Sequence, residues 1–417
     1  MDINILPFCY QGTICVPASK SYLQRAIALA TLTKGTSIIH NINYNKDVDA
    51  VFNIVQQMGA VIENINTSSI KITPIGKKEN RIKINCKESG LAARMFGIIV
   101  SEIYNEVIIN GEGSLLKRSM VDLIDTLKQL QCVVQDNNGL LPLFVVRNTF
   151  SEKIKINAAQ TSQVLTGLLM ALPLRNIDTT IEVEQLNSKP YIDITLDIMK
   201  RFGVTIEHQN YKTFFIRGKQ QYIAQEYYAE GDWSGAAFHV VGAAISGEVS
   251  LNGLNNGSVQ GDKIILDIVK QCGAEVILNE ANIIIRKKEL NGFEFDATNY
   301  PDLFPSLAIL GCACKGISVI YGTERLLQKE SNRAIVIKDE LNKLGAKIYL
   351  EDNKMIIEHS ELRGGEVYAH NDHRIAMMAA ISACISNKKI KITNAESIEK
   401  SYPNFFKDLS VMMMGAK

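Results

Sequence analysis

The sequence predicts an α/β protein of two domains, each made from three copies of a βαβαββ unit. Three observations lead there. At 417 residues the chain is long for one core and ample for two of roughly 200. An amphipathic helix pattern recurs six times at intervals of about 70 residues. A second pattern, apolar nearly all round, recurs six times between copies of the first.

The amphipathic copies begin at Asp47, Met120, Tyr191, Gly261, Ala334 and Asn404. Apolar residues return every three or four positions, and Lys, Glu, Gln or Asp take the opposite face. Most copies close on Gly or Gly-Ala, which suits the left-handed residue after a helix. A β-branched run follows in all but the last and reads as a strand. The apolar copies begin at Ser21, Ser89, Thr161, Trp233, Pro301 and Asn371. They are rich in Ala and Gly and should be buried, close-packed helices. Runs such as IKINC, IIIRKK and KIKIT supply the remaining strands. No Pro-, Ser- or Gly-rich linker is visible. The expected crossover points, PASK near Pro17 and AEGDW near Gly231, divide the chain into residues 19–230 and residues 1–18 with 231–417.

Composition narrows the function. Apolar residues at 46% and charged residues at 21% fit a soluble globular protein. With 45 basic and 44 acidic residues, no global field draws the chain to nucleic acid or membrane. Anion binding must come from local clusters. MDINILPFCY holds an acid and no basic segment, so no secretory leader is expected. No apolar run is long enough for a membrane span. The eight cysteines are scattered without a CxxC pair and read as reduced, cytoplasmic thiols. Trp233 reads as core. His370 and His373 share the spacing of many ordinary histidine pairs, so no metal site is assigned.

Polar residues of the apolar helices sit mainly in the first turn. They are Lys20, Ser21 and Arg25; Glu88, Ser89, Gly90 and Arg94; Thr161, Ser162 and Gln163; Asp232 and Ser234; Asp302; and Asn371, Asp372, His373 and Arg374. A helix N-terminus offers unpaired N–H groups and partial positive charge. With Lys, Arg and Ser added it becomes an anion site. For Thr161, Ser162 and Ser234, simple capping is an equal explanation. It explains little for Lys20 with Arg25, because cations there oppose the dipole and imply a negative ligand. Arg118, Lys329, Glu330, Arg333 and Lys400 recur just before amphipathic helices.

These residues lie in motifs that resemble the 5-enolpyruvylshikimate-3-phosphate synthase (3-phosphoshikimate 1-carboxyvinyltransferase) family. The motifs are SKSYLQRA, TSQVLTGLLMALPL, SKPYIDIT from Ser188, VQGDK, PDLFP, KESNR, NDHRIAM and KSYPNFF, in family order across nearly the whole chain. The resemblance implies a two-domain inverse α/β barrel with its active site in the interdomain cleft. It implies transfer of the carboxyvinyl group of phosphoenolpyruvate to the 5-hydroxyl of shikimate 3-phosphate, with no metal or organic cofactor, in a cytoplasmic monomer. Lys20 would sit between the substrates. Ser21, Arg25, Thr161, Ser162, Ser188, Tyr191 and Lys329 would hold shikimate 3-phosphate. Gly90, Arg118, Gln163, Arg333, Arg374 and Lys400 would hold phosphoenolpyruvate. Asp302 would act on the 5-hydroxyl proton, and Glu330 on the enol carbon.

Departures are local. The family's NAGTAMRP is ESGLAARM here: Glu88 replaces Asn, Leu91 Thr and Met95 Pro, while Gly90 and Arg94 remain. Arg325 stands where Asn is frequent. Glu88 would oppose phosphoenolpyruvate unless Arg94 or a lysine neutralises it. Two alternatives remain: the related enolpyruvyl transferase acting on UDP-N-acetylglucosamine, and a catalytically impaired binding homologue. The first uses a loop cysteine in a Gly-Gly-Cys-like setting, which neither Cys86 nor Cys132 has.

Overall fold

The apolar helices form the inner layer, because no face of them is left for water. In a computed structural model, which describes residues 1–76, 79–149, 151–327 and 329–414, the chain separates into two units. One is Lys20–Ala229; the other joins Met1–Ser19 to Glu230–Lys417.

The Lys20–Ala229 unit holds helices α1 (Lys20–Leu32), α2 (Lys46–Gln57), α3 (Gly90–Ile103), α4 (Val121–Gln129), α5 (Gln163–Ala171) and α6 (Lys189–Arg201). In α1 every residue from Tyr22 to Thr31 is buried. The amphipathic α2 buries only its Val48, Ala50, Val51, Ile54 and Val55 face. Three sheets share one plan. In the second, Arg81–Asn85 runs parallel to Glu106–Asn110, across α3. An antiparallel hairpin, Cys132–Asn137 and Leu140–Arg147, then completes the sheet after α4. The third sheet repeats this with Lys153–Ala158, Thr179–Leu186, Glu207–Gln209 and Thr213–Ile216. In the first, the chain enters directly at α1, so Glu226–Tyr228 takes the vacant parallel place beside Ser37–His40.

The other unit holds α7 (Trp233–Ser246), α8 (Ile265–Cys272), α9 (Phe304–Ala313), α10 (Arg333–Lys343), α11 (His373–Ser382) and α12 (Phe405–Met412). Helices α7, α9 and α11 pack against one another, and Trp233 lies fully inside. Cys9–Cys15 supplies the parallel partner of Glu248–Asn252, and Ile3–Ile5 completes the sheet of Gly365–Tyr368 and Ile390–Thr393. The N-terminal segment therefore belongs with the last half of the chain.

Helix ends follow local chemistry. Asn45, Ser89, Asp232 and Asp372 cap α2, α3, α7 and α11 through their side chains. Gly59, Gly203, Gly273 and Gly345 take positive φ after the amphipathic helices, while Gln131 does so at 62° without glycine's freedom. One expectation is corrected. The sixth copy ends on a two-residue strand, Met413–Met414, which adds to the open edge of Cys9–Tyr10. The close of that copy at Gly415 lies outside the described residues. Among the described residues, no helix is long and apolar enough to cross a membrane.

Candidate active-site clusters

In the Lys20–Ala229 unit the starts of α1, α3, α5 and α6 carry the expected side chains. Lys20 is not the unpaired cation that its position suggested: its Nζ lies 2.8 Å from the Asp47 carboxylate. Gln24, beneath it, donates to the Asp47 carbonyl at 3.1 Å and to the Ser89 hydroxyl at 3.2 Å, tying α1 to α3. Arg25 differs. It is 1% exposed. Its Nε donates to Thr195 Oγ1 at 2.9 Å, and Nη1 to the Ser21 carbonyl at 2.9 Å. Nη2 reaches Thr166 Oγ1 and the Tyr191 carbonyl, both at 3.3 Å. Every one of these partners is neutral, and among the described residues no carboxylate pairs with Arg25. Burial lowers its pKa to about 10.

A second group surrounds Gly90, at the first turn of α3. A β-carbon there would meet Arg118 Nη1 at 3.0 Å, Arg94 Nη1 at 3.5 Å and Gln163 Oε1 at 3.8 Å. The missing side chain thus brings a helix N-terminus up to two guanidinium groups and an amide. Arg94 does not neutralise Glu88, as the sequence had allowed. It pairs with Asp122 at 2.7 Å and donates to the Ser119 carbonyl at 2.6 Å. Glu88 instead accepts from the backbone N–H and hydroxyl of Ser114, both at 3.4 Å, at the start of a short helical turn. Thr161 Oγ1 accepts from Gln163 N at 3.2 Å. Ser162 and Ser188 stand at the N-caps of α5 and α6 without capping hydrogen bonds, and Ser188 is left-handed at φ 60°. Simple capping therefore does not account for either serine.

In the other unit Arg333 is the hub. Its guanidinium is fully buried and holds three carboxylates: Asp372 at 2.9 Å, Asp302 at 2.9 Å and Glu330 at 2.6 Å. Burial opposes its charge, but Asp372, Glu330 and Asp302 outweigh that and push its pKa up. Arg374 Nη2 lies 3.1 Å from the second oxygen of Asp302, and Nη1 donates to the Asp302 carbonyl at 3.1 Å. Two guanidinium groups thus fix both oxygens of Asp302. Lys400 donates to the Asn371 carbonyl at 2.9 Å. Lys329 is lowered to about 8, first by desolvation; Asp302 opposes this, and Arg333 and Arg325 add to it. Asp262, hydrogen-bonded by Ser234, is raised to about 7 by burial and then by Asp302, against the pull of Arg374.

The sequence points to no role for several polar groups of this arrangement, among them Gln24, Asp47, Asp122, Thr166, Thr195 and Asp262. Thr166 and Thr195 leave a signal, since each puts a hydroxyl on the buried face of its helix. Burial pushes the Cys86 and Cys132 thiols up, Cys132 to about 11. Neither is a ready nucleophile. Among the described residues, no group of three or more His, Cys, Asp or Glu side chains could hold a metal ion.

Comparison with known proteins places these clusters in context. The family model described as EPSP synthase (3-phosphoshikimate 1-carboxyvinyltransferase) matches residues 9–409. The chain is 36% identical to a 3-phosphoshikimate 1-carboxyvinyltransferase of Clostridium novyi strain NT, covering 98% of this chain and 96% of that protein. It is 37% identical to the protein of the same name from Clostridium perfringens strain SM101, covering 97% of each. An EPSP synthase structure from Acinetobacter baumannii superposes with a TM-score of 0.83 at 24% identity, over 99% of this chain and 98% of that one. That likeness shows the α/β fold.

Proposed function

We infer the activity from one premise, that this chain belongs to the EPSP synthase family. It transfers the carboxyvinyl group of phosphoenolpyruvate to the 5-hydroxyl of shikimate 3-phosphate and releases phosphate, in the shikimate pathway. The observation in the geometry that carries this reading is Arg25, a buried cation held, among the described residues, by neutral groups alone. Such a site is short of one anion. The 3-phosphate supplies it, with Ser21, Thr161, Ser162, Ser188, Tyr191 and Lys329 assigned to the same substrate. Gly90, Arg118, Gln163, Arg374 and Lys400 are assigned to phosphoenolpyruvate, whose carboxylate and phosphate suit fork-shaped guanidinium groups. Arg333 is also assigned there, and its three carboxylate partners give it a further duty of holding Asp302 and Glu330 in place.

The reaction then runs as addition followed by elimination. Asp302 accepts the 5-hydroxyl proton as that oxygen bonds to C2 of phosphoenolpyruvate, and C3 gains a proton from Glu330. The tetrahedral carbon now carries carboxylate, phosphate and the new ether. Glu330, now a carboxylate, takes back a C3 proton as the C2–O bond to phosphate breaks; phosphate leaves with the bonding electrons and the double bond is restored. Lys20, Arg118, Arg374 and Lys400 offset the charge that gathers at that carbon. The reading includes a monomer in the cytoplasm and no metal or organic cofactor. The eight cysteines are all free thiols, which accords with a reducing compartment.

The test is phosphate release from purified protein with phosphoenolpyruvate, with and without shikimate 3-phosphate, in EDTA. Release that needs both substrates and survives the chelator is expected. Release without shikimate 3-phosphate, or none with both, would overturn the reading.

A further inference from the structure

His370 stands four residues before Arg374, and the sequence assigns it no role. Its surroundings give it one. The ring Nε2 lies 2.8 Å from Oε1 of Glu340, a carboxylate only 2% exposed on α10. The other oxygen of Glu340 accepts the Tyr368 backbone N–H at 3.2 Å. Lys343, one turn on, reaches Oε1 at 2.7 Å. Arg333 and Glu340 are seven residues apart on α10, two turns along one face. Arg333 holds Asp372, and Glu340 holds His370. The segment between strand Gly365–Tyr368 and α11 is therefore laced to a single helix at two points.

That segment needs holding. His370 and Asn371 are consecutive left-handed residues, at φ 53° and 54°. His and Asn tolerate that region better than most residues, but two in succession still carry a conformational cost. The turn they make has three outcomes. The Asn371 N–H donates to Asn394 Oδ1 at 2.6 Å. The Asn371 carbonyl faces Lys400 Nζ at 2.9 Å. Asp372 caps α11 by accepting from Arg374 N at 3.0 Å while also holding Arg333. Lys400 and Arg374 thus both depend on the conformation of residues 370 and 371.

We propose that His370 and Glu340 are positioning residues: their hydrogen bond keeps the backbone of residues 370 and 371 left-handed and so aims Lys400 and Arg374 at phosphoenolpyruvate. The choice of substrate rests on the functional reading above; the structural claim does not. Neither residue touches the reacting atoms. Their effect travels through Asn371 and Asp372 and reaches phosphoenolpyruvate through Lys400 and Arg374.

The experiment compares His370→Ala with His370→Gln, which keeps an N–H donor of similar reach. In His370→Ala the KM for phosphoenolpyruvate should rise about tenfold, the scale of one hydrogen bond to a charged group. Shikimate 3-phosphate binding, measured by calorimetry, should stay within twofold, and kcat should fall less than KM rises. His370→Gln should recover most of the KM. An unchanged KM in His370→Ala, a matched loss of affinity for both substrates, or no recovery in a folded His370→Gln would each overturn the proposal. Crystals of His370→Ala give a readout that needs no activity. Residues 370 and 371 should leave the left-handed region, and retention of both angles would overturn the clasp. If the unaltered protein fails to turn over, the functional reading falls and the crystal result still decides the clasp.

Discussion

Replacing Arg25 by methionine separates a ligand-binding cation from a structural one, because the two roles predict opposite balances of stability and affinity. Burial lowers Arg25 to about 10, well below an ordinary guanidinium, which at about 1.4 kcal/mol per pH unit costs the empty protein about 3 kcal/mol. Its four hydrogen bonds to Thr195, Ser21, Thr166 and Tyr191 return about 1 kcal/mol each. Methionine fills similar space without the charge, so the empty variant should lie within about 2 kcal/mol of the parent in stability. Binding is another matter. Loss of one member of a buried, hydrogen-bonded charge pair costs about 3 kcal/mol or more, a weakening of Kd by about 100-fold. The assay is calorimetric titration with shikimate 3-phosphate, paired with thermal unfolding with and without ligand. At about 100 times its Kd the ligand should stabilise the parent by about 2.7 kcal/mol. At that same concentration it should leave Arg25→Met nearly unshifted. Unchanged affinity, or an empty variant destabilised by more than about 4 kcal/mol, would refute the reasoning and make Arg25 a structural residue.

Two further expectations follow from the same electrostatics. Lys329 has a folded value of about 8 against 10.5 in the free side chain, so between those limits the unfolded chain holds more protons and the empty enzyme gains stability as pH rises. Binding runs the other way: above pH 8 the Kd for shikimate 3-phosphate should weaken by up to about tenfold per pH unit as Lys329 discharges. Lys329→Arg should flatten that slope, and a slope that persists would remove Lys329 from the site. Away from the site, Glu102 and Arg175 form a bidentate pair at 2.8 and 2.6 Å, with both side chains at most 5% exposed. Glu102→Gln should lower the unfolding free energy by about 3–5 kcal/mol in urea at unchanged m. Glu102→Met with Arg175→Met should lose less. A loss below about 1 kcal/mol from the single change would show that the buried arginine does not need its partner.

Much of the fold was legible because it is written in local periodicity. Six amphipathic helices and six apolar ones declare themselves within windows of a dozen residues, and the glycines after them need no knowledge of the rest of the chain. The exceptions are also physical. The left-handed Gln131 replaces a glycine, and the two-residue strand Met413–Met414 forms only because Cys9–Tyr10 presents a free edge to it.

The charged residues were legible as types and positions, but their pairing was not. Lys20 and Arg25 look alike in the sequence, two cations at the mouth of one helix. Among the described residues, the tertiary structure gives Asp47 to Lys20 and only hydroxyls and carbonyls to Arg25. Arg333 and Asp372 are 39 residues apart in the chain, and His370 and Glu340 are 30 apart. Helical and strand patterns depend on neighbours along the chain, so the sequence alone determined the repeat and the burial of its inner helices. Coulomb interactions and hydrogen bonds depend on distance in space. Only the folded backbone could decide which carboxylate meets which cation, and so which cation is left for an anion from outside.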